Sequence, residues 1–599
     1  VPKIRLPFAD KANNRSYLNT ADYLLLNAYI EHNSKGADII KRPGFKSKLA
    51  TSSIVTDGRG FTYSNKHSLY YALIGDALFS IDSSLATVTE IARKTPTAAS
   101  WGAGVATYTF AAAHGFIAGQ SVNVSGISPA GYSGVLTILA VTTVTVPDDS
   151  FTVTMATLGA ATLTNARVSP ILTTTGKAYF EQTKSSTTIN TMLLIPKTST
   201  TASQLFMIAA SGVVTRVTDA DLPVDLIGAP VSIDGYLFVL SAAESEIYNM
   251  DLEAPTSINS LGFVAADTYA DTAVTLAKHH NQLVCKKEYS TEFFYNANIA
   301  APYSPFAKIP QQTLTLGCAS AASVVQTGQS IIWMSRNQNG GLAVHMMTGG
   351  QAQKVSTVSI DRILASMESF VFSDKVESCY LSVDGHDFYV LSVDGVVSGT
   401  GAVVDYAVVD VAVVDTAGAL NSFKRTMVYD ITQNEWCEWS SLDETTSTQS
   451  SFFATYSVSG PHVTNAQDFS NTLVMEKTTG NIYEMSPAPL GVAYLPTYKD
   501  GSRTITVECV FNPVDGGTRN RKRCNSLEIL GDTASSSVSV SYSDNDYATW
   551  STARTISLVD RARIPNLGMF RRRAFKLTHA ADTPLRLAGI ELDVERMES

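Results

Sequence analysis

Apolar residues along this chain recur in short alternating runs, punctuated by Gly, Asn and Asp. Runs of that length are too short for helices and predict strands joined by tight turns. Leu69 to Ile74 turns at Gly75-Asp76 into Ala77 to Asp82, and comparable units fall at 190–217, 230–250, 274–296, 322–357 and 452–485. A repeat of roughly forty residues suits the blades of a β-propeller. A single blade leaves apolar surface and strand edges uncovered, so such units favour a closed ring. The units number six or seven.

The clearest of them spans 385–440. It runs Gly385-His386-Asp387-Phe388-Tyr389-Val390-Leu391, then Thr426-Met427-Val428-Tyr429-Asp430, then Asn434-Glu435-Trp436-Cys437-Glu438-Trp439. The Asp430 to Glu435 link carries hairpin turn formers. Asp430 is placed to accept backbone N–H bonds in that turn, and Tyr429 and Trp436 to fill the space between blades.

Two stretches interrupt the order. Residues 97–171 are rich in Ala, Gly, Ser, Thr and Val, nearly free of charge, and alternate as strands do. They predict a small inserted β-module, either a docking surface for a fibre or receptor or a plain spacer. Residues 396–422 hold Val403-Val404-Asp405, Val408-Val409-Asp410 and Val413-Val414-Asp415, a five-residue repeat that fits neither helix nor strand periodicity. Its flanking glycines mark a long hairpin or loop. It packs on a neighbour as a β-arm, or it sits in a channel with Asp405, Asp410 and Asp415 facing DNA as a gate. From about 487 the pattern becomes β-sandwich-like. The expected organisation is therefore all-β: an N-terminal arm (1–52), propeller (53–96 and 172–486), inserted module (97–171) and C-terminal sandwich-like domain (487–599).

Charge adds one asymmetry. The chain carries a net −10, which argues against a generally basic nucleic-acid binder. Residues 497–599 hold 15 Lys/Arg against 13 Asp/Glu, a net +2, leaving −12 for the rest. The basic residues cluster at Arg519, Arg521, Lys522 and Arg523, and at Arg561, Arg563, Arg571, Arg572 and Arg573, forming either a solvated face or salt-sensitive contacts with an acidic neighbour, another subunit in assembly or nucleic acid. The six cysteines are scattered without metal-ligand spacing, as expected for a protein made in a reducing cytosol. Residues 1–14 carry no signal-peptide pattern. The apolar tract 403–414 is interrupted by Asp and is not expected to insert in a membrane.

Propellers also serve as scaffolds for enzymes. Ser541 to Trp550 resembles a sialidase Asp-box turn, but has an extra residue between Asp544 and Trp550, lacks the Gly, and lies outside the propeller. The propeller arginines are few and dispersed, against the cluster a sialidase needs. No nucleophile elbow, P-loop or His-rich metal spacing appears. His279 and His280 would point to opposite faces of a strand, and His386 reads as a hydrogen-bonded core histidine. No enzymatic activity and no cofactor are expected.

Several motifs in order carry a family resemblance. Asn27-x-Tyr29 and Arg42-Pro43-Gly44-Phe45 come first, then Pro305-Phe306, Gly317-Cys318, Ile332-Trp333-Met334, Gly340-Gly341, Gly349-Gly350 and Val355-Ser356-Thr357. The Gly385 to Glu438 unit follows, then Tyr542-Ser543-Asp544, Thr549-Trp550, Leu567-Gly568 and Arg571 to Phe575. Outside the two inserts the chain resembles the packaged-DNA stabilisation proteins, or tail hub (nozzle) proteins, of short-tailed bacteriophages. The resemblance implies a structural virion protein of the tail, assembled in the host cytoplasm. Six copies would form a ring beneath the portal–adaptor complex, extend its channel, retain packaged DNA through transient non-specific contact, and carry fibres or spikes. The alternatives are a carbohydrate-binding or glycan-cleaving propeller of a phage tail and an extracellular adhesin.

Overall fold

The computed structural model describes residues 3–5, 24–34, 36–49, 57–243, 245–366, 376–397, 421–443, 448–463, 468–485, 497–515, 517–518 and 520–597. Among them the elements are almost entirely strands, with one α-helix, Val358–Ser366. Among the described residues, seven runs of antiparallel strands follow one another in series: four are four-stranded sheets, one has five strands, and the last two continue into sheets of ten and six strands. We number them as blades: blade 1 (58–90), blade 2 (179–216), blade 3 (226–265), blade 4 (273–308), blade 5 (317–354), blade 6 (376–443) and blade 7 (454–485, with 45–49).

The blades read as near-continuous apolar runs because both faces of each are buried. Along Thr188–Ile195, Leu193 and Ile195 point toward blade 1, where they meet Tyr71, Leu73 and Leu78. The alternate residues Met192 and Leu194 point toward blade 3 and meet Leu237 and Val239. The same two-sided packing recurs around the ring. It closes where Leu473, Met475 and Ile482 of blade 7 pack on Tyr70, Ala72 and Phe79 of blade 1.

The N-terminal segment differs from the expected arm. Phe45–Leu49 is the outer strand of blade 7, antiparallel to Ile482–Met485. Ala28–Asn33 and Gly36–Lys41 join the C-terminal sandwich instead, in one sheet with Arg586–Arg596, Lys522–Gly531 and Arg563–Phe570. Leu24–Leu26 belongs to the facing sheet and also pairs in parallel with blade 6 through Leu26 and Glu438. The physical reason is edge closure: a strand drawn from the far end of the chain covers an edge that would otherwise present unpaired N–H and C=O groups.

Residues 96–169 form two small sheets, of four and three strands, around Tyr108, Phe116, Tyr132 and Phe151. They are tied to blade 1 at one point. The Asp76 carboxylate accepts from Arg93 and from Asn123, both at 3.3 Å, and its carbonyl accepts from Ser169 at 2.8 Å. A β-bridge links Lys94 and Val168 beside it.

Candidate functional site: the propeller axis and the inter-domain node

The propeller axis is stoppered. Lys177, just before the first strand of blade 2, reaches across the ring centre. Its ammonium lies 3.6 Å from a Glu377 carboxylate oxygen in blade 6 and donates to the Ala322 carbonyl of blade 5 at 3.4 Å. It also sits 5.6 Å from the Tyr456 ring of blade 7. Lys477 approaches the other Glu377 oxygen at 3.2 Å. Glu377 and Tyr456 stand near the starts of their innermost strands, Val376–Val383 and Ala454–Val463, so the stopper closes one end of the axis. Beyond it lies a cavity of about 280 Å³ bounded by strands of blades 1, 5, 6 and 7. Sequence reading missed this group, because its members are far apart in the chain and carry no motif.

The Asn27/Arg42-Pro43-Gly44 signature resolves into a buried node. Arg42 is fully buried, and its guanidinium donates to both Asp500 carboxylate oxygens at 2.9 and 2.6 Å. It also donates to the Ser440 carbonyl and to the Asn27 side-chain oxygen, both at 3.0 Å, and lies over the Trp439 and Phe452 rings. Asn27 holds a left-handed backbone (φ 57°) and donates to the Ser440 hydroxyl and the Thr506 carbonyl. Any side chain at Gly44 would meet the Lys499 backbone at 2.3 Å. Blade 6, the N-terminal strands and the sandwich therefore meet on one charge-assisted network.

The Tyr429-Asp430 turn behaves as its residues indicate. One Asp430 oxygen accepts from the Thr432 and Gln433 N–H groups at 2.9 and 3.1 Å. The other is 2.6 Å from His386 Nδ1, and this hydrogen bond raises the His386 pKa. His386 is buried and stacked on Phe388, the core histidine expected. Trp436 packs with Tyr429 between blades 5 and 6 and donates to the Val355 carbonyl at 2.9 Å.

Three sequence expectations need correction or lie elsewhere. Lys522 and Arg573 are not surface contacts. Lys522 is buried and donates to the carbonyls of Thr518, Asn520 and Arg571. Arg573 is buried, bridges both oxygens of Asp544, and lies 3.9 Å from the Tyr542 ring. Alternation along Lys522–Gly531 turns Lys522 inward, and a bridge to Val514 in the turn before Ala574–His579 holds Arg573 inside, while Arg521, Arg523, Arg571 and Arg572 stay exposed. Arg572 pairs with Asp546 at 2.9 Å. His279 and His280 do not diverge: His280 leaves the strand in a left-handed turn (φ 52°), bringing the ring centroids to 4.3 Å. Arg519, Asp405, Asp410 and Asp415 lie outside the described residues.

The Asp-box-like segment is a structural turn. Asn545 accepts from the Thr549 N–H and donates to its hydroxyl, and Ser543 accepts from the Tyr547 N–H. Among the described residues no group of three or more His, Cys, Asp or Glu is arranged to hold a metal ion. None of their helices is long and apolar enough to cross a membrane.

These features define an all-β propeller with an attached sandwich. Residues 197–394 match the family model described as "Bacteriophage P22 Gp10, beta-propeller". Over residues 197–394 the chain is thus similar to the propeller of that bacteriophage protein family. No curated protein matches the sequence. Similar solved structures include the N-terminal domain of Nup159, at 10% identity over 77% of this chain and 98% of that one, with a TM-score of 0.34. A streptogramin B lyase follows at 9% identity over 74% and 97%, with a TM-score of 0.33. An exo-β-1,3-galactanase from Phanerochaete chrysosporium stands at 7% identity over 69% and 95%, with a TM-score of 0.24. Likenesses this distant say nothing of function.

Proposed function

We propose that the protein is a tail hub: copies of it form a ring beneath the portal–adaptor complex, extend its channel, retain packaged DNA and carry fibres or spikes. The observation that carries this reading is the family match over residues 197–394. The stoppered axis adds a physical constraint. A blind cavity of about 280 Å³ admits no duplex, so the passage for DNA lies between copies and not through a propeller. Genome retention requires no base recognition. A mildly acidic wall repels phosphate over about one Debye length, ~10 Å at 0.1 M salt, so DNA held by a plug slides once released. The net −10 of the chain suits such a wall.

In this reading the exposed Arg521, Arg523, Arg571 and Arg572 meet an acidic neighbour during assembly, and Asp405, Asp410 and Asp415 form an acidic collar at the passage. Imaging of the purified protein with portal–adaptor complexes tests the ring: cyclic density beneath the adaptor is expected. A monomer that fails to bind those complexes refutes the hub. Deleting 402–417 tests the collar separately, with assembly intact and encapsidated DNA reduced. Full retention with normal ejection removes the collar.

A further inference from the structure

The inserted module leaves one side of its fold open. Gly134–Thr137 pairs only with Ser121–Ser128, and Ala140–Thr142 only with Ser150–Thr154, so among the described residues each is the edge strand of its sheet. Thr137 and Ala140 are three residues apart, at most ~11 Å, which puts both free edges on the same side of the module. Edge strands are commonly guarded by Lys, Pro or an inward charge. Neither strand has such a guard, and no Asp, Glu, Lys or Arg occurs from Gly115 to Pro147. Leu136 and Val141 pack on the module core, but their surroundings stand in solvent. Val135 is 58% exposed, Leu139 55% and Val144 60%, and Ile117 and Val146 are exposed as well. The Ile117 loop is held against the connection between the two edges, where the Gly119 N–H donates to the Ile138 carbonyl at 2.8 Å. No other segment of this length among the described residues exposes as many large apolar side chains.

We propose that this side of the module docks on the same side of a second copy of the chain, edge strand against edge strand. A free edge offers N–H and C=O groups that another strand satisfies. Charge selects the occupant. Each copy carries a net −10, so two copies repel where their charged surfaces meet, whereas the stretch from Gly115 to Pro147 lets them approach without that cost. A strongly acidic or basic partner finds no opposite charge there to pair with. Because both edges lie on one side, the contact is the same surface on each copy and closes around a twofold axis instead of growing into a filament. Its size sets its strength. The exposed side chains supply a few hundred Å² per copy, about half of the ~800 Å² per partner of a stable complex. Strands of four and three residues add few hydrogen bonds. The pair is therefore reversible and forms when copies are concentrated or held close. This inference does not rest on the hub reading, since it concerns the module alone.

The test uses the full chain without portal or adaptor, so its outcome is separate from that of the hub. Sedimentation equilibrium is expected to show reversible pairing with a Kd on the order of 100 μM, as befits an interface of this size. Leu139→Glu and Val144→Glu place a charge at positions more than half exposed. Each is expected to weaken pairing about tenfold without lowering the melting temperature. Val224→Glu adds the same charge at a position 69% exposed outside the module, and is expected to leave pairing unchanged. The six native cysteines are buried, so Leu139→Cys introduces an accessible thiol at the contact. Mild oxidation is expected to join two chains through it, and to leave Val224→Cys unjoined. A chain that does not pair at any concentration overturns the proposal and assigns the open side to a foreign partner. Pairing that persists in both module variants overturns it as well, as does pairing that Val224→Glu weakens equally. Equal cross-linking through residues 139 and 224 has the same consequence.

Discussion

Replacing Lys286 by Met should stabilise this protein, and the gain should vanish in alkali. Lys286 lies in blade 4 with its ammonium fully buried, 3.1 Å from the Trp333 ring centroid and without a hydrogen-bond partner. Burial pushes its pKa down from 10.5 to about 7. The folded pKa is below the unfolded one, so the penalty is absent above pH 10.5, grows as pH falls toward 7, and is constant below that. A gap of about 3.5 units at 1.36 kcal/mol each gives roughly 5 kcal/mol at neutral pH. The cation–π contact gives back about 2 kcal/mol of stabilisation while the amine is charged. Methionine has similar volume and keeps a sulfur–aromatic contact of about 1 kcal/mol. The expected net gain is about 2–4 kcal/mol near pH 7, shrinking to about 0–1 near pH 10.5. Thermal unfolding of both proteins across that range, by calorimetry, measures it. A variant that is less stable at pH 7, or whose gain is independent of pH, would refute the argument that desolvation dominates here.

Trp436→Ala should cost about 3–5 kcal/mol, because the ring fills the contact between blades 5 and 6 and leaves a cavity. Trp101→Ala, in the inserted sheets and half-buried, should cost clearly less; equal losses in thermal unfolding would contradict the packing described. Asp500→Asn strips the fully buried Arg42 of its counter-charge and should cost about 3–5 kcal/mol. Limited proteolysis should then release the N-terminal strands first. The raised pKa of His386 contributes stability that is full below its unfolded value near 6.5 and lost as pH rises through the folded value. His386→Phe should flatten that slope in melting curves taken from pH 5 to 8, and an unchanged slope would assign it to other groups.

Local chemistry explains how much of this was legible in the chain. Alternation and turn residues mark strands wherever hydrogen bonding is between sequence neighbours, so the hairpins from Leu69 to Asp82 and from Thr426 to Trp439 were visible at once. The Asp430 turn and the core role of His386 followed from residue type alone. Burial on both faces came from the ring itself, where a strand such as Thr188–Ile195 serves two neighbouring clusters.

Partners distant in sequence left no such trace. Phe45–Leu49 carries the pattern of any half-buried strand, and only the ring's need for a closed edge assigned it to blade 7. Arg42 and Asp500 are separated by more than four hundred residues, yet share one buried ion pair. Lys177, Glu377 and Lys477 meet only because the blades bring them to a common axis. In the basic cluster, strand register turned Lys522 inward, a bridge to Val514 held Arg573 inside, and their neighbours stayed in solvent. Composition and periodicity determine which segments form strands. Which edges join, and which charges meet inside, depends on a closure energy summed over the whole ring, to which no single segment holds the key.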